Sequence, residues 1–391
     1  MSNYEIHYTA TDGSGIIGMD GTNDRKNPPP SAESKYGGAV RQKGERYSYR
    51  LVYDCSPEEQ LDRYLTATVT TRIYRTDFET SEIKELFTKN RPYPMVHQIG
   101  QIYDGRWLCQ IATPGGNHQS PWLVDEDGER WEPLTPPEEA FIYGININSA
   151  KDLLAFHVTS KHYDEVYDYM PNPYSINTID LRTGKRTLVD TREGGLLFGP
   201  AFSPDEQWLL YVDCDRIHDP AHFFGDLCIA RPDGSEVRHL TQGYAFYFGT
   251  AFGPADHRRG GSNTPVWLDD HTVLFPKRSP DAHPDAGYDA SLGDHKEEYY
   301  DPSLAKGGCQ LVTLDIDTGK ETPITPFEEG KWDFRPRISP DKQWIAYISV
   351  RSGGYPSELR VCKIDGTEDR FLTCGYNGFG VDHPVFSEIG E

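Results

Sequence analysis

Pro340-Asp341 separates two short apolar segments, one ending at Ile338 and one built of Trp344, Ile345, Tyr347 and Ile348. Proline presets φ and aspartate accepts hydrogen bonds from its own backbone, so the pair is turn chemistry. The β-branched and aromatic residues on either side suit strands. Residues 359–364 form a third such segment, Asp365-Gly366 a hairpin turn in which glycine supplies the positive φ, and residues 370–373 a fourth. Four antiparallel strands in a run of about 40 residues cannot bury both faces alone and must stack on copies of themselves.

The punctuation recurs along the chain. Ser203-Pro204-Asp205, Asp104-Gly105, Asp127-Gly128, Thr183-Gly184, Asp233-Gly234 and Thr318-Gly319 all divide apolar segments. They predict strand groups over 95–135, 141–189, 197–241, 265–324 and 334–373, preceded by a weaker group at 47–53, 65–74 and 82–88 with a helical turn at 57–61. The fifth is interrupted by a long polar loop, about 278–306, of a length that is usually functional or disordered. Residues 4–9 and 15–19 are strand-like, and residues 381–387 resemble an inner strand without partners. Joining both ends makes a last unit and removes open edges. The expected fold is therefore all-β: a seven-bladed β-propeller, one domain over residues 1–391, closed by pairing of the N- and C-terminal strands.

Composition narrows the function classes. A formal charge of −22 disfavours nucleic acid and anionic membrane as partners. The 24 Tyr and 7 Trp, against 4 Met, suit short strands over helices. The seven cysteines (55, 109, 214, 228, 309, 362 and 374) are odd in number and form no CxxC pair, as expected of buried reduced thiols. The N-terminus has no basic region or apolar stretch of a secretory signal, and no apolar run reaches transmembrane length. These features predict a soluble cytoplasmic protein, or the mature form of an exported one. No glycine-rich loop joins a strand to a helix, so a nucleotide cofactor is not expected.

In a propeller the starts of the innermost strands converge on one funnel. That position holds His97, Tyr143, Phe198, Asn263 or Thr264, Arg335 and His383. Loops after the second strands add Asn117, His118, His162, Tyr163, Arg216, His218, His222, Arg278 and His283. Arginine neutralises a carboxylate and so eases removal of the adjacent proton, while histidine or tyrosine moves protons. The residue types suit proton abstraction beside a carboxylate. The plain alternative is that each is solvated or structural. For a metal, neither HExxH nor paired cysteines occur. His218 and His222 are spaced i, i+4, but Pro220 argues for a loop, and His283-Pro284-Asp285 and Asp294-His295 lie among carboxylates. The cofactor candidate is a divalent metal, manganese or calcium.

The Ser-Pro-Asp and Asp-Gly punctuation resembles the TolB-type propeller repeat. From about residue 95 onward the chain also resembles the oligogalacturonate lyases. That similarity rests on Tyr143-Gly144, Asn172-Pro173, Asp180-Leu181-Arg182-Thr183-Gly184, Gly199-Pro200-Ala201-Phe202-Ser203-Pro204, Pro265-Val266-Trp267 and His383-Pro384. It implies a cytoplasmic seven-bladed propeller that cleaves short uronate chains by β-elimination. The family holds manganese with three histidines and a glutamine, and uses a histidine base and an arginine. His383 matches one metal-ligand position. Arg335 stands where the family has another histidine, and Asn263 and Thr264 stand near its base, so the metal set and base do not carry over. The expectation is a lyase-like enzyme acting on a uronate oligosaccharide. Arg335 and Arg337 would bind the carboxylate, His97 and Tyr143 would serve as base and acid, and His118, Arg216, His218, His222 and Arg278 would line the substrate site. The alternative is a non-catalytic propeller that binds a protein or glycan through its funnel.

Overall fold

A computed structural model of the 391-residue chain describes residues 4–10, 13–26, 46–54, 69–77, 79–91, 95–112, 119–136, 142–158, 174–192, 196–214, 224–247, 263–288, 298–352 and 356–388. Among these there is no α-helix, only a 3-10 turn at Pro302–Leu304. No helix among them is long and apolar enough to cross a membrane.

The strands fall into consecutive antiparallel groups. β1 (Tyr4–Ala10), β2 (Gly13–Gly18) and β3 (Arg25–Lys26) open the chain, followed by β4 (Tyr47–Asp54), β5 (Val69–Asp77) and β6 (Ile83–Arg91). The next group is β7 (Met95–Gln101), β8 (Trp107–Ala112), β9 (Gln119–Val124) and β10 (Trp131–Pro133). Then come β11 (Ile142–Ile147), β12 (Leu153–Val158), β13 (Tyr174–Asp180) and β14 (Arg186–Arg192). A fifth group comprises β15 (Leu196–Phe202), β16 (Leu209–Cys214), β17 (Phe224–Ala230) and β18 (Val237–His239).

β19 (Phe246–Tyr247) pairs with β17 and with β21, bridging that group to the next. The sixth contains β20 (Val266–Trp267), β21 (Thr272–Arg278), β24 (Cys309–Asp315) and β25 (Glu321–Pro323). Between β21 and β24 the expected polar loop carries its own hairpin, β22 (Ala286–Tyr288) with β23 (Glu298–Tyr300). β26 (Lys331–Ile338), β27 (Trp344–Arg351), β28 (Glu358–Lys363) and β29 (Arg370–Thr373) follow. The last strand, β30 (Asp382–Glu388), pairs antiparallel with β1, so one sheet mixes both ends of the chain. The expected helical turn at 57–61 lies outside the described residues.

The apolar residues lie between successive groups, which makes the arrangement a propeller. Ile73 packs with Trp107, Cys109 and Ile111, and Leu108 and Leu123 with Leu154, Phe156 and Ile179. Tyr174, Ile176 and Val189 pack with the buried apolar residues of β16 and β17, which in turn meet Val273, Phe275 and Val312. Leu274 and Leu311 pack on Ile345, Tyr347 and Cys362, while Ile348, Val350 and Leu359 pack on Tyr4, Ile6 and Phe386. Each such side chain contributes roughly 1.5–3 kcal/mol by leaving water. Cys109, Cys214, Cys228, Cys309 and Cys362 are buried free thiols in these layers, as expected, and Cys374 is half-buried.

Ser203 and Ser339 explain the Ser-Pro-Asp signature. Each serine hydroxyl donates to the aspartate two residues on, at 2.6 Å, and accepts from the amide of Trp208 at 3.0 Å or Trp344 at 2.9 Å. The turn thereby starts the second strand and seats its tryptophan.

Candidate functional site

The first strands of the groups are tied to one another across the propeller. The amide of Phe202 on β15 donates to Asn146 Oδ1 on β11 at 3.3 Å. The indole of Trp267 on β20 donates to the carbonyl of Ala201 on β15 at 3.1 Å, and Arg337 on β26 donates to Thr264 Oγ1, just ahead of β20, at 3.4 Å. Arg335 on β26 meets Asp382 and His383 on β30.

The ladder breaks at matching places on these strands. Pairing shifts between Tyr143 and Asn146 on β11, between Phe198 and Ala201 on β15, and between Phe334 and Arg337 on β26. At each break the chain turns left-handed: Gly144 has φ 57°, Gly199 61°, Arg335 51° and His383 50°. Proline follows Gly199, Arg335 and His383 and cannot donate to the ladder. β7 also shifts, between Met95 and His97 and again between Gln98 and Gly100. His97, Tyr143, Phe198, Arg335 and His383, expected just ahead of the inner strands, therefore lie inside them, at bulges that re-aim a side chain, whereas Asn263 and Thr264 do precede β20.

Two bulges use glycine; two use Arg335 and His383, where a side chain at positive φ costs about 1–2 kcal/mol each. Asp382 holds this pair. One of its carboxylate oxygens, Oδ1, lies 2.6 Å from Arg335 Nε and accepts from the amide of His383 at 2.8 Å. The other lies 3.5 Å from His383 Nδ1. Arg335 Nη1 is 2.9 Å from His383 Nε2. A guanidinium only donates, so Nε2 is the acceptor and the imidazole carries its proton on Nδ1, a tautomer assigned from these contacts. Arg335 and Asp382 are buried, whereas the His383 side chain is 43% exposed.

Arg337, half-buried, also donates to the carbonyl of Pro336 at 2.9 Å. Burial and the charge of Arg335 push its pKa down, and Asp382 opposes the shift. Arg337 thus feels the positive charge of Arg335 more than the negative charge of Asp382, a balance that favours an anion beside it. Asp333, two residues before Arg335, is fully buried; it accepts from Ser349 Oγ at 2.7 Å and pairs with Lys331 at 3.1 Å. Burial raises its carboxyl pKa.

A divalent ion does not fit at His383. Its Nε2 is engaged by a guanidinium, and a second guanidinium lies nearby, so both the lone pair and the local charge oppose a cation. The contacts of His383 among the described residues therefore do not support its expected role as a metal ligand. The described residues bring a metal-type donor set together elsewhere, at Asp213, Cys228 and His239.

The other sequence candidates are scattered. His97 and Tyr143 are placed by their backbones on the bulged β7 and β11, opposite Gln110 and His157. Arg278 is spent on the backbone: it donates to the carbonyls of Tyr244 at 2.6 Å, Pro280 at 3.1 Å and Gly243 at 3.0 Å, and its guanidinium lies 4.2 Å from the ring of Phe224. Asn263 is buried and donates to the carbonyl of Tyr247 at 3.0 Å. His283 Nδ1 lies 2.8 Å from the carbonyl of Pro284. Asn117, His118, His162, Tyr163, Arg216, His218, His222, Asp294 and His295 lie outside the described residues.

Sequence reasoning passed over Asp382 and His157. An aspartate directly before a histidine expected in the funnel, with an arginine needing a buried counter-charge, was the available signal for Asp382. Nothing local marked His157. Its Nδ1 accepts from the amide of Gly199 at 3.2 Å, and burial pushes its pKa down to about 3, so it is a neutral tie between β12 and the bulge of β15.

No family model matches the chain, and no curated protein matches it. Solved structures do resemble it. Puromycin hydrolase is 11% identical, with a TM-score of 0.52 over 95% of this chain and 52% of its own. An oligogalacturonate lyase in complex with manganese is 14% identical, with a TM-score of 0.46 over 84% of this chain and 73% of its own. TolB from Acinetobacter baumannii is 13% identical, with a TM-score of 0.41 over 98% of this chain and 83% of its own. Both groups to which the sequence motifs point are thus among the structural matches. The likeness to puromycin hydrolase shows the fold alone, and this chain spans about half that protein's length.

Proposed function

We propose that the bulged first strands form an anion-recognising funnel and that the protein is a lyase-like propeller cleaving uronate-containing oligosaccharides by β-elimination. The observation that carries this reading is the placement of Arg337 in the field of Arg335, which is itself ion-paired with Asp382. Arg337, the less buried of the two, takes the sugar carboxylate. Arg335 is committed to Asp382 and holds His383 and the bulge in place. Neutralising the carboxylate stabilises the negative charge that develops when the neighbouring C–H proton is removed. His97 and Tyr143, on the bulged first strands, are the base and acid. The base takes the proton, its electron pair forms the C=C bond, and the glycosidic oxygen leaves with a proton from the acid. Seven blades closed through β1 and β30 would set these strands around one axis.

One observation favours a second reading, a propeller that binds a protein or glycan without turnover. Among the described side chains here, the imidazole lone pair of His383 faces a guanidinium and supplies no base. Incubation with a panel of uronate oligosaccharides, with and without divalent metals, separates the two. The lyase reading expects rising ultraviolet absorbance from the unsaturated product, reduced at least about tenfold by Arg337→Gln, or about 1.4 kcal/mol. Saturable binding of the oligosaccharides with no absorbance change would favour the binding reading; an Arg337→Gln variant with unaltered rate would overturn the role of Arg337.

A further inference from the structure

Asp213, Cys228 and His239 belong to three neighbouring strands of one group, β16, β17 and β18. Cys228 stands directly opposite His239 in the ladder, and Asp213 lies on the adjoining strand two residues along from Tyr211, the residue opposite Cys228. Cys228 Sγ is 3.3 Å from His239 Nδ1, and the donor atoms of all three residues lie within 4.8 Å of one another. Cys228 and Asp213 are buried, whereas His239 is exposed and opens the cluster to solvent.

We infer that these three side chains form a binding site for a zinc-class divalent cation. Thiolate, imidazole and carboxylate are the donors that zinc takes, whereas calcium takes oxygen donors and manganese oxygen with imidazole, neither favouring a thiolate. Ligands at the usual Zn–S and Zn–N lengths in a tetrahedral site stand about 3.5 Å apart, close to the separation seen here. Three protein donors leave a fourth position for water on the His239 side.

Among the described residues the surroundings carry an excess of negative charge. Asp190 on β14 accepts from Tyr211 at 2.6 Å, and Asp226 accepts from Thr241 at 2.8 Å and from the amide of Tyr244 at 3.0 Å. With Asp213 they make three carboxylates, faced by the guanidinium of Arg192, which pairs with Asp213 Oδ1. A carboxylate has two oxygens, so that pair does not exhaust Asp213. Cys228 is poorly suited to be a nucleophile, since burial first and the charges of Asp190 and Asp226 next oppose its ionisation. A bound dication reverses that opposition. The ion would tie β16, β17 and β18 together beside the β14 contact.

The test uses the full chain, stripped with a chelator and titrated with Co²⁺ and then Zn²⁺. The inference expects one Co²⁺ per chain with a thiolate-to-cobalt charge-transfer band, displacement by Zn²⁺, and a rise in melting temperature with Zn²⁺. Cys228→Ser should abolish the band and His239→Ala should weaken binding at least about tenfold, or about 1.4 kcal/mol. His239 is exposed, so that variant should retain its fold, checked by circular dichroism. Absence of the band in the parent protein would overturn the site, leaving the sulfur–nitrogen contact a plain hydrogen bond. A band of equal strength in Cys228→Ser would overturn it too. The outcome is independent of any lyase activity.

Discussion

At the scale of single residues, the candidate site depends on how Asp382 offsets strain. Arg335 and His383 adopt a backbone conformation that disfavours any side chain, yet both are held there by one buried carboxylate. Taking a partner out of a buried ion pair leaves an uncompensated charge, which typically costs about 3–5 kcal/mol. Asp382→Asn should therefore lower stability by about that much in urea denaturation. An unchanged midpoint would mean that the bulges are held by something other than this pair. The same reasoning shows why Arg335 is a poor probe of chemistry: its loss would disturb the fold, whereas Arg337 can be changed with less structural consequence.

At the scale of elements, the repeated bulge is the device that places the site. An uninterrupted ladder would send alternate side chains to the two faces of each sheet. Inserting left-handed residues at Gly144, Gly199, Arg335 and His383 breaks that alternation at matching points. Gly144 shows how tightly the device is packed. A Cβ there would lie 2.6 Å from His157 Nδ1 and 3.0 Å from the Cα of Gly199. Gly184, a turn glycine with φ 72°, would meet nothing within 4 Å. Gly144→Ala should accordingly cost clearly more than Gly184→Ala, which should lose only the conformational term of about 1–2 kcal/mol. Equal losses for the two in parallel denaturant titrations would show that the contact with His157 carries no weight.

At the scale of the whole molecule, stability should fall in acid in two stages. His157 is neutral in the fold, with a pKa near 3 against about 6.5 unfolded. The unfolded chain binds the proton first, so the contribution of His157 is fully present above about pH 6.5 and is lost as pH falls toward 3. A second group acts lower. Turn aspartates such as Asp180, Asp233, Asp315 and Asp365 accept hydrogen bonds from backbone amides and hydroxyls, which hold their carboxyls below the usual range. Their contribution is present above an unfolded pKa of about 3.9 and is lost below it. Melting temperature against pH should thus begin to decline near 6.5, and His157→Gln should flatten the part of the curve above about pH 4. A curve of the same shape in that variant would remove His157 as the source of the first stage.

Much of the architecture was legible in the chain because its cues are local. Proline-aspartate and aspartate-glycine turns, with apolar segments of period two, predict the strands of β7 to β18 and β26 to β29 within a few residues. The rest needed long-range information. β19 has two residues and pairs on both sides, too short to show periodicity. The hairpin of β22 and β23 lies in a stretch whose polarity reads as loop. The places of Arg335 and His383 near the starts of β26 and β30 were readable from the strand pattern, but their contact with Asp382 was not, because Asp382 and Arg335 are neighbours only through packing of β26 on β30. Likewise Asp213, Cys228 and His239 look unrelated in sequence and share a site through the register of three strands. By itself the sequence determined the strands, their turns and the repeated unit, since those follow from backbone preferences over a few residues. Tertiary structure alone decided which charges meet, because that depends on how separate sheets stack and where their ladders slip.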